Sequence, residues 1–386
     1  MNRETELTLI DQVLDQIATN TPHMAERGGS APVSDYICPE RYAKEITSVF
    51  RGFPVALAHV DEIPVVGDYI LREITGLSVI VTRCADGVPR AFLNACRHRG
   101  SRLLTEPKGN NRVIVCPYHS WSYRDGALVG MPGAQGFCDH DQRDLSLLTF
   151  PSTERYGLVW VQLDARANPN WDQWFATVDS ELSALDLATH CVFSVRENIV
   201  EANWKAVSDA FLEGYHFRFV HKNSVFPLYH DNQGVFTPLG VHYRYFLAHR
   251  SMSEQASLPR EERRLRPNCL MVYTLFPLTN IQVLPDHVFV HNYIPLGPDR
   301  CIVRNMMLIP TRTTNERATA HWEKNKAIVQ GALDEDHRAA EEVYRGISSG
   351  TNPDVVFGRF EQGIVHMHHY LNEALAGRLP PPQVQV

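Results

Sequence analysis

The sequence predicts an α+β protein in two parts: a small antiparallel-β domain, then a larger domain whose antiparallel sheet is flanked by helices. Three observations predict it. Short β-like runs broken by turns fill residues 55–160. A second series of strand candidates comes next, ending at Ile309. Two helical patterns, Arg317–Arg345 and Gly363–Leu375, close the chain. Strands followed by helices, rather than alternating with them, argue against a parallel βαβ sheet.

The elements take their places in order. Residues 1–27 carry the periodic apolar run Leu7, Ile10, Val13, Leu14, Ile17, which reads as one helix. A loose Gly-Gly-Ser-Ala-Pro stretch at 28–32 separates that helix from the rest of the chain. Val79–Thr82 and Ala91–Asn94 flank Asp86-Gly87, a dipeptide favoured in hairpin turns. Val113–Val115 runs directly into Cys116, and Gly157–Gln162 reads as the strand that closes the small domain. Trp171–Leu187 has an amphipathic helical pattern and Val192–Glu201 a strand pattern. The later strands, His242–Phe246, Leu270–Leu275, Ile281–Leu284, Val288–Ile294 and Ile302–Ile309, are punctuated by Pro, Asn or Asp, as in an antiparallel sheet. The expected division is a helical lead-in at 1–45, the small domain at 46–162 and the large one at 163–386.

Composition narrows the function classes. A net charge of −7 without a basic run argues against a nucleic-acid partner. No stretch approaches the roughly 18–20 apolar residues that a membrane span needs. The first residues lack the profile of a secretory signal, so a cytoplasmic protein is expected. The eight cysteines are scattered, and a chain this large needs no disulfide framework. Cys38, Cys84, Cys138, Cys191, Cys269 and Cys301 are expected to be reduced and half-buried. Eighteen histidines point to metal chemistry.

Cys96-Arg97-His98 is followed, after seventeen residues, by Cys116-Pro117-Tyr118-His119. Two thiolates and two imidazoles can hold zinc, but zinc fingers usually pair Cys with Cys and His with His. Here each loop supplies one of each. That suits a Rieske [2Fe–2S] cluster, whose two irons carry different ligands and whose imidazoles raise the reduction potential. A second signal lies at Asn203-Trp204-Lys205, continuing to Glu213-Gly214-Tyr215-His216 and His221. On a helix Glu213 and His216 are one turn apart and face the same way, and His221 can turn back to meet His216. Two histidines and a carboxylate form the facial triad of non-haem Fe(II) oxygenases, which leaves positions open for O2 and substrate.

These motifs resemble those of the catalytic alpha subunit of Rieske non-haem iron oxygenases (the ring-hydroxylating oxygenases), over nearly the whole chain. The resemblance implies a Rieske domain followed by a helix-grip, START-like catalytic domain, with the lead-in at Tyr36–Phe50 preceding the first Rieske strand. It implies that Cys96 and Cys116 hold one cluster iron, that His98 and His119 hold the other, and that His216 and His221 bind a mononuclear Fe(II). The third ligand in the family is an Asp on a late helix. Asp336, ten residues before Gly346, fits, with Asp334, Glu335 and Glu341 as competitors. The acidic residue three before the first iron histidine is the family's electron bridge between subunits. Here it is Glu213, similar to members acting on carnitine and related quaternary ammonium compounds. Asp209 could bridge instead, sit near the iron, or serve a structural role.

The chain has no convincing nucleotide fingerprint and no plant-ferredoxin cysteine run. Electrons are therefore expected from NAD(P)H through a separate reductase, with or without a ferredoxin. The resemblance also implies a homotrimer, with or without a small beta subunit. Arg97 and Arg99 are expected around the cluster, with Ser120 donating to a cluster sulfur and Trp121 packing over it. The expected reaction is O2-dependent hydroxylation of a small aromatic compound or aromatic acid, as in aromatic hydrocarbon catabolism. The alternative is hydroxylation or oxidative demethylation of a quaternary ammonium, betaine-type, methoxy or N-methyl substrate. An electron-transfer protein without oxygenase activity is the reading from another class. Among His242, Tyr243, Arg244, Tyr245, Asn280, Gln282, His287, His291 and Tyr293, some are expected to line a pocket, with His242 or Arg244 free to bind a carboxylate.

Overall fold

The computed structural model describes residues 1–277, 279–379 and 381. It divides into two compact units, one formed by Phe50–Trp174 with Asp186–Ala188, the other by Met1–Val49, Phe175–Leu185 and Thr189–Pro380.

The first unit is built from small antiparallel sheets. A five-stranded sheet contains the hairpin of Leu77–Arg83 with Pro89–Leu93, turned at Asp86-Gly87, where Gly87 has φ +81°. Glycine meets that left-handed requirement without a Cβ clash. A three-stranded sheet of Ile114–Val115, Ser122–Arg124 and Ala127–Gly130 carries the second Cys/His loop between its first two strands. Only two residues of the expected 113–115 strand pair, so the loop hangs from a very short stem. Leu71, Ile80, Phe92, Trp121 and Tyr123 form the core, and Cys96 and Cys116 sit within it.

The second unit is organised by a seven-stranded antiparallel sheet. From edge to edge the strands are Cys191–Val200, Arg300–Ile309, Val288–Gly297, Thr279–Val283, Cys269–Leu275, His242–His249 and Tyr229–Leu239. The last six in sequence form a meander, and the first strand closes onto the final one. Val288–Gly297 is buried along most of its length, so no single face shows alternation. Edge strand Cys191–Val200 carries Arg196 and Glu197, and charges on an edge discourage pairing with another chain. The strand Tyr229–Leu239 escapes the sequence pattern because Asp, Asn, Gln and Gly interrupt it and its register breaks between Tyr229 and Gly234.

Two helices pack on this unit late in the chain. Glu316–Ser348 starts at Asn315, whose side chain accepts from the Ala318 N–H, and buries Val329, Leu333, Asp336, His337 and Ala340 along one stripe. At 1.5 Å per residue it is about 50 Å long. Gln362–Leu375 matches the second helical pattern.

Two expected helices differ. Trp171–Leu187 is two short helices, Trp171–Phe175 and Asp179–Ser183, because the chain changes unit there and the Thr177 hydroxyl donates to the Leu239 carbonyl at 2.7 Å. Glu213 and His216 do not share a helix. Trp204–Phe211 ends before them, and a new short helix, Phe217–Val220, begins after His216. The six remaining cysteines are free, but Cys84, Cys269 and Cys301 are buried and Cys138 is exposed, so half-burial describes only Cys38 and Cys191. No helix among the described residues is long and apolar enough to cross a membrane.

Candidate metal centres

The first unit forms the same loop twice. The Cys96 N–H donates to the Ser101 carbonyl and the Gly100 N–H to the Cys96 carbonyl, both at 2.8 Å. The Cys116 N–H donates to the Trp121 carbonyl at 2.8 Å and the Ser120 N–H to the Cys116 carbonyl at 3.0 Å. Gly100 and Ser120, each four residues after its cysteine, both turn left-handed, at φ +75° and +59°. Both loops thus bury a cysteine and present a histidine at the tip. Cys96 and Cys116 are 3% and 2% exposed, whereas His119 is exposed and His98 half-buried. His98 Nδ1 and His119 Nδ1 lie 3.2 Å apart.

The surroundings move the two thiols in opposite directions. Burial pushes the Cys96 thiol up, opposed by the Tyr123 hydroxyl, 3.2 Å from its sulfur. Burial also opposes ionisation of Cys116, but the N–H groups of Tyr118 and His119, with Cys96 and Ser101, hold it below the usual thiol value. Trp121 stacks on the His98 ring at 4.9 Å. Hydroxyl contacts to the sulfurs come from Tyr123 and Ser101, while Ser120 is exposed at the loop tip. Tyr123 and Ser101 had no distinguishing mark in the sequence. Arg97 and Arg99 are exposed, with Arg99 donating to the Tyr118 hydroxyl at 3.2 Å. Two sulfurs and two ring nitrogens gathered on backbone-fixed loops fit a [2Fe–2S] group of mixed ligation.

In the second unit, His216, His221 and Asp336 bring one ligand atom each to a common point. The two Nε2 atoms are 3.2 Å apart, and Asp336 Oδ1 lies 3.4 Å from that of His216 and 2.9 Å from that of His221. Bonds of about 2.1 Å at right angles leave ligand atoms about 3.0 Å apart. The outer ring nitrogens are tied to carboxylates: His216 Nδ1 to Glu213 Oε1 at 2.5 Å, His221 Nδ1 to Glu335 Oε2 at 2.7 Å. A carboxylate accepts, so each Nδ1 carries the proton and each neutral ring turns a bare Nε2 lone pair inward. Asp336 Oδ1 is buried without a hydrogen-bond partner. Two lone pairs and an orphaned carboxylate oxygen converging repel one another unless a cation sits among them. Without a metal a proton takes that place. Burial disfavours charge on His216, yet Glu213 and Asp336 outweigh it and push its pKa up to about 10. A bound metal therefore displaces a proton from the ring. The residues fit a metal ion.

Local sequence explains the geometry. Breaking the helix at Leu212 lets the Glu213 carboxylate fold back onto the Tyr215 and His216 N–H groups and the His216 ring. On the long helix, three consecutive acids do three different things. Asp334 pairs with Arg196 at 2.9 Å, Glu335 orients His221 and accepts from the Ser224 hydroxyl, and Asp336 enters the triad. Glu341 accepts from the Glu201 N–H at 3.2 Å. The role of Glu335 escaped the sequence because it depends on where His221 ends up. Asp209 is engaged apart from the triad atoms, accepting from the Tyr36 hydroxyl at 2.6 Å and lying 3.1 Å from His368 Nε2.

A cavity of about 420 Å³ opens on the triad. Phe211, Phe217, Tyr229 and Tyr245 line it, with Val225, Leu284, Ile328, Val329 and Leu333. Of the sheet residues expected there, Tyr245, Gln282 and His287 line it. Arg244 is instead buried against Glu181 at 2.5 Å, and His242 Nδ1 accepts from the Phe276 N–H, so neither is free for a carboxylate in the cavity. His291 is bound between Asn305 and Gln282 and stays neutral, burial lowering its pKa to about 4. No Lys or Arg lines the cavity among the described residues.

Comparison with known proteins covers both units. Residues 177–377 match the family model of the ring hydroxylating alpha subunit (catalytic domain), and residues 53–151 match the Rieske [2Fe-2S] domain. The oxygenase subunit of glycine betaine monooxygenase from Chromohalobacter salexigens is 28% identical over 91% of this chain and 86% of its own length. The carnitine monooxygenase oxygenase subunit of Escherichia coli is 33% identical over 48% of this chain and 50% of its own, so there the alignment spans half the relative. Two solved structures share the fold. One is a quaternary ammonium Rieske monooxygenase in complex with L-carnitine, at TM-score 0.77 and 20% identity over 89% of this chain and 95% of that one. The other, naphthalene 1,2-dioxygenase from Rhodococcus, gives TM-score 0.75 and 21% identity over 98% and 100%.

Proposed function

The chain belongs to the ring-hydroxylating alpha-subunit family of Rieske oxygenases, and from that premise we propose that it oxidises a quaternary ammonium compound, by hydroxylation or oxidative demethylation. Family membership makes it an oxidoreductase with a Rieske [2Fe–2S] cluster and a mononuclear iron. The observation that carries the substrate is the triad cavity. Four aromatic side chains and the carboxylates of Glu213, Asp286 and Asp336 line it, without a lysine or arginine among the described residues. Aromatic faces and anionic groups stabilise a cation that has shed its water. A relative matched across both units, at 28% identity, is named for glycine betaine, which supports the same class. A small aromatic substrate, expected from the breadth of the family, has less support. An electron carrier without oxygenase activity would have no use for a second, inward-facing triad beside a substrate-sized cavity.

Cys96, Cys116, His98 and His119 would hold the cluster, and His216, His221 and Asp336 the mononuclear iron. When bound, the iron activates O2, which takes two electrons and two protons as one oxygen atom enters the substrate and the other leaves as water. The chain supplies the rest. Glu213 fixes the His216 tautomer on one side and would accept with a remaining lone pair from a cluster histidine of a second copy. Tyr215 and Phe219, 48% and 63% exposed, lie beside it with Phe360 and suit a subunit contact, as in a homotrimer. Leu284, Val329 and Leu333 keep water from the substrate. Electrons would come from NAD(P)H through a separate reductase.

The test is single-turnover product formation by iron-loaded protein that is reduced with dithionite, freed of excess reductant and then exposed to O2, across glycine betaine, carnitine, choline and a panel of aromatic acids. Stoichiometric product from a quaternary ammonium compound is expected. A higher product yield from an aromatic acid overturns the substrate class.

A further inference from the structure

The first unit has a cavity of its own, about 500 Å³, lined in part by Ile114, Tyr123 and Arg124 from the two strands that carry the second Cys/His loop. Arg83, Arg112, Tyr123, Arg124 and Asp125 line it, together with Gly67. Arg83 is neutralised by Glu154 at 2.6 Å. Arg112 and Arg124 are exposed, and neither has an ion-pair partner among the described residues. Asp125 is the one lining carboxylate, and its Oδ1 is already occupied by the Ala85 N–H at 3.1 Å. A Cβ on Gly67 would come within 3.1 Å of the Arg112 side chain, so the glycine leaves room for that arginine. In a chain of net charge −7 this is a local excess of positive charge.

Its wall leads inward. Tyr123 belongs both to this cavity and to the cluster site, where its hydroxyl is 3.2 Å from Cys96 Sγ and accepts from the Arg97 N–H at 3.1 Å. One phenol ring therefore separates the arginine-lined surface from a cluster sulfur. His98 and His119 reach solvent by the loop tips instead.

We propose that the Arg112/Arg124 cavity is the docking site of an acidic one-electron carrier protein, whose carboxylates seat between the two guanidinium groups. The inference rests on the reading above, in which a separate donor feeds the cluster. If a second copy's Glu213 covers the histidine tips, the donor must reach the cluster from another face, and this cavity is that face. Each docking passes one electron from the reduced carrier to the oxidised cluster. No bond forms or breaks, and two dockings serve one O2. Electrons enter on the Cys96 side and leave through the imidazoles. Charge complementarity would speed the encounter and make it salt-dependent.

The test uses the cluster-loaded full chain and small redox probes of opposite charge. Stopped-flow oxidation of the reduced cluster is followed with ferricyanide, an anion, and with hexaamminecobalt(III), a cation. Arg112→Glu/Arg124→Glu should slow the first about 10-fold and speed the second, with both effects vanishing near 1 M salt, where screening is complete within about 3 Å. Anisotropy of a fluorescein-labelled hexaglutamate peptide should report binding to the wild type and none to the variant. Arg97→Glu/Arg99→Glu, at the tips, should change the rates less. Should the glutamate pair lose its cluster, Arg112→Gln/Arg124→Gln replaces it, with the same signs at smaller size. The proposal is overturned by rates that stay within about 2-fold, by larger effects at Arg97/Arg99, or by undiminished peptide binding. A failure of the oxygenase reading shows separately, as no substrate oxidation by dithionite-reduced wild type.

Discussion

The cluster loops and the triad hold their ligands by different means. Each cluster loop closes on itself with two backbone hydrogen bonds, which use no side chain between Cys and His. The triad instead draws His216 and His221 from a broken helix and Asp336 from a long helix far along the chain, and it relies on side-chain carboxylates to aim the rings. One site is a local motif printed twice; the other exists only after the second unit has folded. The first should therefore tolerate neighbouring substitutions, and the second should feel each of its supporting residues.

The largest test of that contrast is Asp336→Ala. Iron should fall from about three per chain to about two, and O2 uptake should be abolished, with the cluster's electron paramagnetic resonance signal intact. Loss of the cluster signal as well would erase the distinction. Glu213→Gln comes next. It keeps a partner for His216 but not the charge, so both metals should stay bound while electron delivery to the mononuclear site slows by about 100-fold, measured by single-turnover kinetics. Full turnover would sink the bridge role. Glu335→Gln is milder: Fe(II) affinity should drop by about 10–100-fold, and excess Fe(II) should restore activity.

Acid should separate the two units. His291 and His366, both in the second unit, have pKa values lowered to about 4 by burial. The unfolded chain takes up these protons near its ordinary value of about 6.5, before the folded one does. Stability is thus fully present above about pH 6.5 and declines as pH falls toward 4, by at most about 3 kcal/mol per group. The transition of the second unit, followed by calorimetry, should move down more steeply between pH 7 and 5 than that of the first. Equal slopes would remove the contrast. The smallest effect is expected at Tyr123→Phe, which removes a hydroxyl from the Cys96 sulfur. A neutral hydrogen bond is worth about 0.5–1.5 kcal/mol, equivalent to about 20–65 mV for one electron, so redox titration should find the cluster potential lower by that amount.

The same contrast governs what could be read in advance. Cys96, His98, Cys116 and His119 were legible as a set because their spacing is local. Gly363–Leu375 was legible because its apolar residues recur at a helical period, and most meander strands because they are short apolar runs bounded by Pro, Asn or Asp. The strand Tyr229–Leu239 was not, since polar residues and a register shift interrupt its pattern. The break at Leu212 was not legible, because apolar residues continue up to it and only Gly214 hints at a turn. Arg244 looked available for a ligand until Glu181, from a distant short helix, claimed it. Tyr123 and Glu335 acquire their contacts only in three dimensions, and no spacing announces them.

Asp334, Glu335 and Asp336 are consecutive on a helix, and each step turns the side chain by about 100°. Three tasks are therefore encoded by angle alone: an ion pair on one bearing, a ring support on the next, a ligand on the third. Substituting any one residue touches one task. Inserting or deleting a single residue upstream within the packed part of that helix would swing all three bearings together, and the site would lose its ligand and its support at once. Along this stretch, length is a stricter constraint than identity.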